Sequence, residues 1–143
     1  MVSVDDLKLA QDELHKGRDD VVVVRGGEVK GRAQGNGLLP LLKVLDRLGD
    51  DARDVSVADR VVGKAAALFL VEAGVSAVYG QIMSQLGFRF LQTGGVRAEA
   101  GQWVPFIMNR REDGLCPLER ISVETKTPEA AREKIREFLS GRT

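Results

Sequence analysis

Cys116 stands directly before Pro117, with Glu119 close behind. Proline suits the first position of a helix, so this order predicts a helix start with Cys116 at the N-cap and Glu119 at N3. A thiol there lies in the positive end of the helix, which favours the thiolate and makes Cys116 a candidate nucleophile. Arg110 and Arg111, just upstream, would add to that field. A nucleophile also needs a base. The single histidine, His15, is expected on the surface of a terminal helix, so Lys64 or Asp59 must serve, provided that folding brings them close. The plainer reading is a buried, unreactive cysteine with Glu119 folding back as in a capping box.

Lys64 follows Gly63 near the start of an almost wholly apolar segment. A cation at a helix N-terminus opposes the macrodipole. A residue that breaks a local rule beside a predicted pocket points to function. Lys64 would bind an anion, pair with Asp59, or act as a base once desolvated. As an ordinary surface lysine it would instead lay its stem over apolar neighbours. Asp59 precedes the same helix, where it would orient Lys64 or accept a ligand hydroxyl. Its ordinary alternative is a loop carboxylate or a cap.

Five further residues are candidate ligand contacts. Asn109 and Arg110 form a polar pair after a strand and could hold a base edge or a phosphate. Tyr79, the only tyrosine, ends an apolar strand and could stack on a ring or close the core. Ser84 is expected one turn into the following helix. Glu119 completes the set. Gly35-Asn36-Gly37 lacks the lysine and spacing of a phosphate loop and reads better as a turn. Trp103 and Phe106 flank Pro105 and are expected in the core or an interface. With one histidine and one cysteine, the chain cannot assemble a three-ligand nitrogen–sulfur metal site. No metal ligand and no cofactor is therefore assigned.

These residues need a scaffold. Val4–Lys16 has the spacing of an amphipathic helix, with Val4, Leu7, Leu9–Ala10 and Leu14 on one broad face. Val21–Arg25 is β-branched throughout, as in a strand buried on both sides. Gly26-Gly27 turns it into Glu28–Arg32 as a hairpin. Helices follow at Leu38–Leu48, with Pro40 in the first turn, and at Val62–Ala73, apolar all round and hence buried. Strands are expected at Val55–Ala58 and Val75–Tyr79, a helix at Gln81–Gln92, and short strands at Val96–Ala98 and Val104–Met108. A polar loop, Asn109–Gly114, precedes the Pro117 helix. Thr127-Pro128 caps a last helix, within a mixed-charge run reaching Arg142. Alternating helix and strand predicts an α/β fold, a three-layer α/β/α sandwich whose mixed sheet opens with an antiparallel hairpin. One domain over 1–143 is expected.

Lysine plus arginine balances aspartate plus glutamate at 21 each. Phosphate neutralisation needs a basic excess, so a dedicated nucleic-acid binder is disfavoured. No apolar run is long enough to span a bilayer, and residues Met1 to Leu9 are charged early, unlike a signal segment. No membrane association and a cytoplasmic location are expected.

Three blocks resemble a known family. They are Asp59-Arg60-Val61-Val62-Gly63-Lys64-Ala65-Ala66-Ala67, Val78-Tyr79, and Asn109-Arg110 followed by Gly114-Leu115-Cys116-Pro117-Leu118-Glu119. The family is a bacterial and archaeal domain of unknown function with a cytidine-deaminase-like fold, and the resemblance runs from about Val21 to Pro128. A zinc deaminase sets a His or Cys and a proton-shuttling Glu on one helix and two cysteines on the next. Here the corresponding stretches read Gly63-Lys64-Ala65 and Gly80-Gln81-Ile82-Met83-Ser84. The resemblance therefore implies a zinc-free relative whose former active-site cleft holds a small nucleoside-like or nucleotide-like ligand, with Cys116-based chemistry open. The alternatives are a non-catalytic ligand sensor and a structural or partner-binding protein, and a homo-oligomer is compatible with each.

Overall fold

A computed structural model describes residues 5–141. Val4 and Arg142 lie outside them. The first helix, α1 (Asp6–Lys16), is capped by Asp5, whose carboxylate accepts the N–H groups of Leu7 and Lys8. Its buried face is Leu7, Ala10 and Leu14, with Leu9 of the expected face only partly buried. The hairpin strands β1 (Val21–Arg25) and β2 (Glu28–Ala33) are antiparallel. Gly26 and Gly27 turn between them at φ 62° and 78°, a region closed to most side chains. Helix α2 (Leu39–Leu48) follows, with Pro40 in its first turn.

Three parallel strands build the other half: β3 (Ser56–Val62), β4 (Ala77–Ser84) and β5 (Arg97–Val104). The sheet order is β2-β1-β3-β4-β5, with β1 antiparallel to β3. Helix α3 (Lys64–Ala73) links β3 to β4, and α4 (Gln85–Thr93) links β4 to β5. Short α5 (Pro117–Glu124) and α6 (Pro128–Ser140) pack on α3. Alone, α1 lies across β1, β3 and β4 on one side of the sheet. The larger core fills the other side, joining Val21, Val23, Val57 and Val78 to Leu41, Leu68, Leu70 and Ile135. The mixed α/β sheet with helices on both faces is the expected one.

Several boundaries differ from the expected ones. β3 and β4 run further than the apolar runs suggest, because Asp59 and Gly80 sit in interior ladder positions. Asp59 is thus a strand residue and not a loop carboxylate. Gln81–Ser84 is strand rather than helix, and the two short strands after Gly95 are one continuous β5. Alternation fails as a guide here for a physical reason. Arg60 reaches the α1 side, donating to the carbonyls of Leu14 and Asp19, whereas Val62 is buried in the larger core. Residues two apart in a regular strand share a face, so the pleat slips between them. The same slip recurs on β4, where Gln81 accepts from Arg60 and Met83 joins the larger core. Trp103 and Phe106 are not core residues, being 46% and 44% exposed. Among the described residues, no helix is long and apolar enough to cross a membrane.

Candidate functional site

The carboxyl ends of β3, β4 and β5 deliver the chain to the amino ends of α3 and α4, where ligands collect in open α/β sheets. The two helix starts are pressed together. A Cβ on Gly87 would stand 2.8 Å from the carbonyl carbon of Gly63, closer than carbon atoms tolerate. Ser84 is buried and ties the second start, accepting the Gly87 N–H at 3.0 Å. It is the N-cap of α4, not a residue one turn inside it.

The first start, at Gly63, has no side chain with which to cap itself. Glu119 supplies the cap from α5. Its carboxylate accepts the Lys64 N–H at 2.9 Å and the Ile107 N–H at 2.8 Å, and the residue is 1% exposed. A carboxylate at this position matches the positive end of α3. The local conflict posed by Lys64 is thereby resolved, since the charge at the helix start is supplied from elsewhere. Its own amine lies 6.0 Å from the Phe90 ring centre, away from Glu119's bonds. The capping-box expectation for Glu119 fails because that carboxylate is committed to another helix, while Cys116 has no side-chain cap bond.

Two adjoining cavities open beside this junction. The smaller, of about 100 Å³, lies among Gly63, Ala66, Ile107, Cys116 and Glu119. The larger, of about 460 Å³, is walled by Val61, Ile82, Gln102, Val104, Phe106 and Met108. Val61 and Ile107 line both. Its rim is the segment after β5, which doubles back through a Met108–Leu115 bridge. Asn109 closes that turn, donating to the Asp113 carboxylate at 2.9 Å while its N–H binds the Gly114 carbonyl. Asn109 and Glu112 also line the larger cavity.

The structure gathers only some of the residues singled out by sequence. Cys116 and Glu119 share the smaller cavity, and Asn109 lines the larger. Lys64 lines a separate recess with Lys126 and Thr127. Arg110 is exposed on the rim turn. Tyr79 belongs to the opposite side of the sheet, in the α1 core, with its hydroxyl 3.2 Å from the His15 Nε2. Asp59 is buried in the sheet, and desolvation pushes its carboxyl up to about 7, with the Asp20 charge adding to the rise. The neighbouring backbone N–H groups of Arg60 and Val61 and the Arg60 charge work against that rise. Cys116, Lys64 and Asp59 therefore occupy three distinct surroundings, and the expected pairing of Lys64 with Asp59 does not form.

The observed helix starts read Gly63-Lys64-Ala65 and Ser84-Gln85-Leu86-Gly87, without His, Cys or Glu. Among the described residues, no three His, Cys, Asp or Glu side chains gather to hold an ion. The residues that sequence reasoning missed are the walls: Val61, Ile82, Gln102, Ile107 and Met108. The available signal was the apolar run Trp103–Met108 broken by Pro105, which reads as a strand but ends one.

A family model described as "Domain of unknown function (DUF1893)", TM1506, matches residues 9–139. The solved DUF1893 protein TM1506 of Thermotoga maritima is 21% identical, with a TM-score of 0.84, over 96% of this chain and 92% of that one. RibD of Acinetobacter baumannii is 19% identical with a TM-score of 0.53, over 67% of this chain but 35% of its own. The apo dCMP deaminase of cyanophage S-TIM5 is 15% identical, with a TM-score of 0.48, over 66% of this chain and 93% of that one. No curated protein matches the sequence. At these identities the likeness between structures is one of fold.

Proposed function

This chain belongs to the DUF1893 family, and we propose that it binds a small, planar, unphosphorylated heterocycle of nucleoside type in the larger cavity. The observation that carries this reading is the chemistry of the wall. A cavity of about 460 Å³ is of the size that holds a small organic ligand. Val61, Ile82, Val104, Phe106 and Met108 make it apolar, and Phe106 offers a ring face for stacking. Gln102 supplies an amide, which pairs with the donor and acceptor edge of a heterocycle, while the Asn109 amide is engaged at both ends by Asp113 and shapes the rim. Among the described residues, Glu112 is the one ionisable residue of the lining, and no lysine or arginine joins it. A phosphate would thus meet a carboxylate rather than a cation, which argues for nucleosides over nucleotides.

The same geometry favours binding without catalysis. Cys116 opens into the adjoining smaller cavity, whose one carboxylate is committed to two backbone N–H groups. No base stands ready to activate the thiol there. Thermal-shift titration with nucleobases, nucleosides and their 5′-monophosphates tests the reading, because a ligand specific to the folded state raises the melting temperature. Nucleosides are expected to give a saturable rise that Gln102→Ala removes. A panel with no shift at millimolar concentrations overturns the reading.

A further inference from the structure

The sheet has two outer edges, and they are built differently. β2 strings Glu28, Lys30 and Arg32 along its length, and its ladder with β1 slips between Val23 and Val24. Charges and a bulge are the ordinary means of keeping a strand edge from pairing. β5 has eight residues, RAEAGQWV, with no proline and no lysine, and its only charges are Arg97 and Glu99.

The bond pattern shows which backbone groups β5 presents. In a parallel pair the N–H and C=O of one residue point to the same side. Arg97 donates its N–H to the Ser76 carbonyl at 3.1 Å, on the β4 side. Ala98 and Ala100 therefore turn both groups outward, with methyl side chains that let another backbone approach.

We propose that β5 is a homodimerisation edge, on which a second copy of this chain lays its own β5 antiparallel about a two-fold axis through Ala98. Self-complementary charge identifies the occupant. In this register Arg97 stands opposite the partner subunit's Glu99, and the symmetric pair repeats on the other side of the axis. Both side chains are about half exposed, at 53% and 47%, and already meet at 2.7 Å within one chain, where Arg97 also reaches the Asp5 carboxylate at 3.1 Å. An axis through Glu99 would set that carboxylate against its own copy. An axis through Ala100 would leave Arg97 facing a tryptophan and Glu99 facing a glycine. Only the Ala98 register joins unlike charges twice, and like charges directly opposite are destabilising. The pairing centres on Ala98 while the cleft uses Gln102 and Val104 from the other end of β5, and self-association and ligand-induced thermal shift are read separately, so either reading can fail without the other.

Analytical ultracentrifugation of the full chain tests the proposal. The native protein is expected near twice 15.6 kDa. Ala98→Pro removes an outward N–H but no β4 bond, so it should yield a folded monomer whose melting temperature, unlike that of the native dimer, does not depend on protein concentration. Arg97→Glu and Glu99→Arg should each weaken the dimer at least tenfold, and the two together should restore it. Circular dichroism melts establish that each variant folds. A native chain that stays monomeric at its highest soluble concentration overturns the proposal, as does a dimer indifferent to Ala98→Pro and to both charge reversals.

Discussion

The Glu119 carboxylate, on α5, accepts the backbone N–H of Lys64, the first residue of α3, at 2.9 Å. A helix that begins after glycine has no side-chain cap of its own, so a distant element completes it. The second carboxylate oxygen ties down Ile107 in the segment that walls the cleft. One buried side chain thus joins α5, α3 and the cleft wall. Glu119→Ala should cost about 2–4 kcal/mol, since two buried backbone N–H groups lose their acceptor. Glu119→Gln keeps one good acceptor and should cost about half as much. Urea unfolding midpoints measure both, and an unshifted midpoint for the alanine variant would remove Glu119 from this role.

The contact between the two helix starts gives a second expectation. Gly87→Ala sets a methyl 2.8 Å from Gly63 backbone, and Gly63→Ala sets one 2.7 Å from Ile107 Cγ1 and 2.8 Å from Glu119 Oε1. Backbone cannot yield as a flexible side chain can. Gly87→Ala should therefore cost about 3 kcal/mol, at the upper end for overpacking. Gly63→Ala meets two side chains, Ile107 and Glu119, so it should cost less than Gly87→Ala, and it should also lower the cost of a subsequent Glu119→Gln, because the two share one contact. A double-mutant cycle by chemical denaturation reads this coupling, and strict additivity would contradict it.

Much of this fold could be read from the chain, and the reasons are local. Val21–Val24 announces a buried strand through four β-branched residues, and Gly26-Gly27 announces its turn. Thr127-Pro128 announces α6, where the Thr127 hydroxyl accepts the Ala130 N–H. The far ends of β3 and β4 were hidden because the pleat slips at Arg60–Val62 and Gln81–Met83, which destroys the alternation by which a strand is known. The site was only half legible for a related reason. Cys116 at an N-cap follows from Pro117 alone, but the partner of Glu119 is 55 positions away in sequence, and no spacing rule reaches that far. Tyr79 was misplaced because a strand buried on both faces does not reveal which side each residue takes.

Asp59 should leave a signature in the pH dependence of stability. Its folded carboxyl is raised from the ordinary 3.8 to about 7, chiefly by burial. The folded protein therefore keeps a proton that the unfolded chain releases. The stability this contributes is complete below the unfolded value and is lost as pH rises through about 7. Asp59→Asn has no such proton to lose. Its melting temperature should fall less than that of the native chain over this window and exceed it on the alkaline side. Parallel curves for the two proteins would mean that Asp59 stays ionised throughout.

Cys116 is expected to be structural. It lines the smaller cavity at intermediate exposure, and its backbone N–H donates to the Ile107 carbonyl at 2.9 Å. Cys116→Ala preserves that backbone bond and removes a single sulfur, so it should cost about 1 kcal/mol. It should leave the nucleoside-induced thermal shift in place. In the folded protein, iodoacetamide should alkylate this thiol no faster than free cysteine. Faster labelling, slowed by nucleoside, would return Cys116 to the role of nucleophile.

The cleft itself can be tested through residues whose loss should not harm the fold. Phe106 is 44% exposed, so Phe106→Ala should change stability by about 1 kcal/mol or less. It should nevertheless weaken nucleoside binding about tenfold, through the loss of a stacking face. Glu112 tests the charge of the ligand. In the native protein a 5′-monophosphate should bind more weakly than its nucleoside, because Glu112 is the only charge in the lining among the described residues. Glu112→Gln removes that repulsion and should bring the two affinities together, with little change for the nucleoside. Calorimetric titration of both ligands against both proteins gives the four affinities. A native chain that prefers the monophosphate would show that the phosphate finds a cation outside this wall, and the unphosphorylated reading would then be wrong even if the cleft is right.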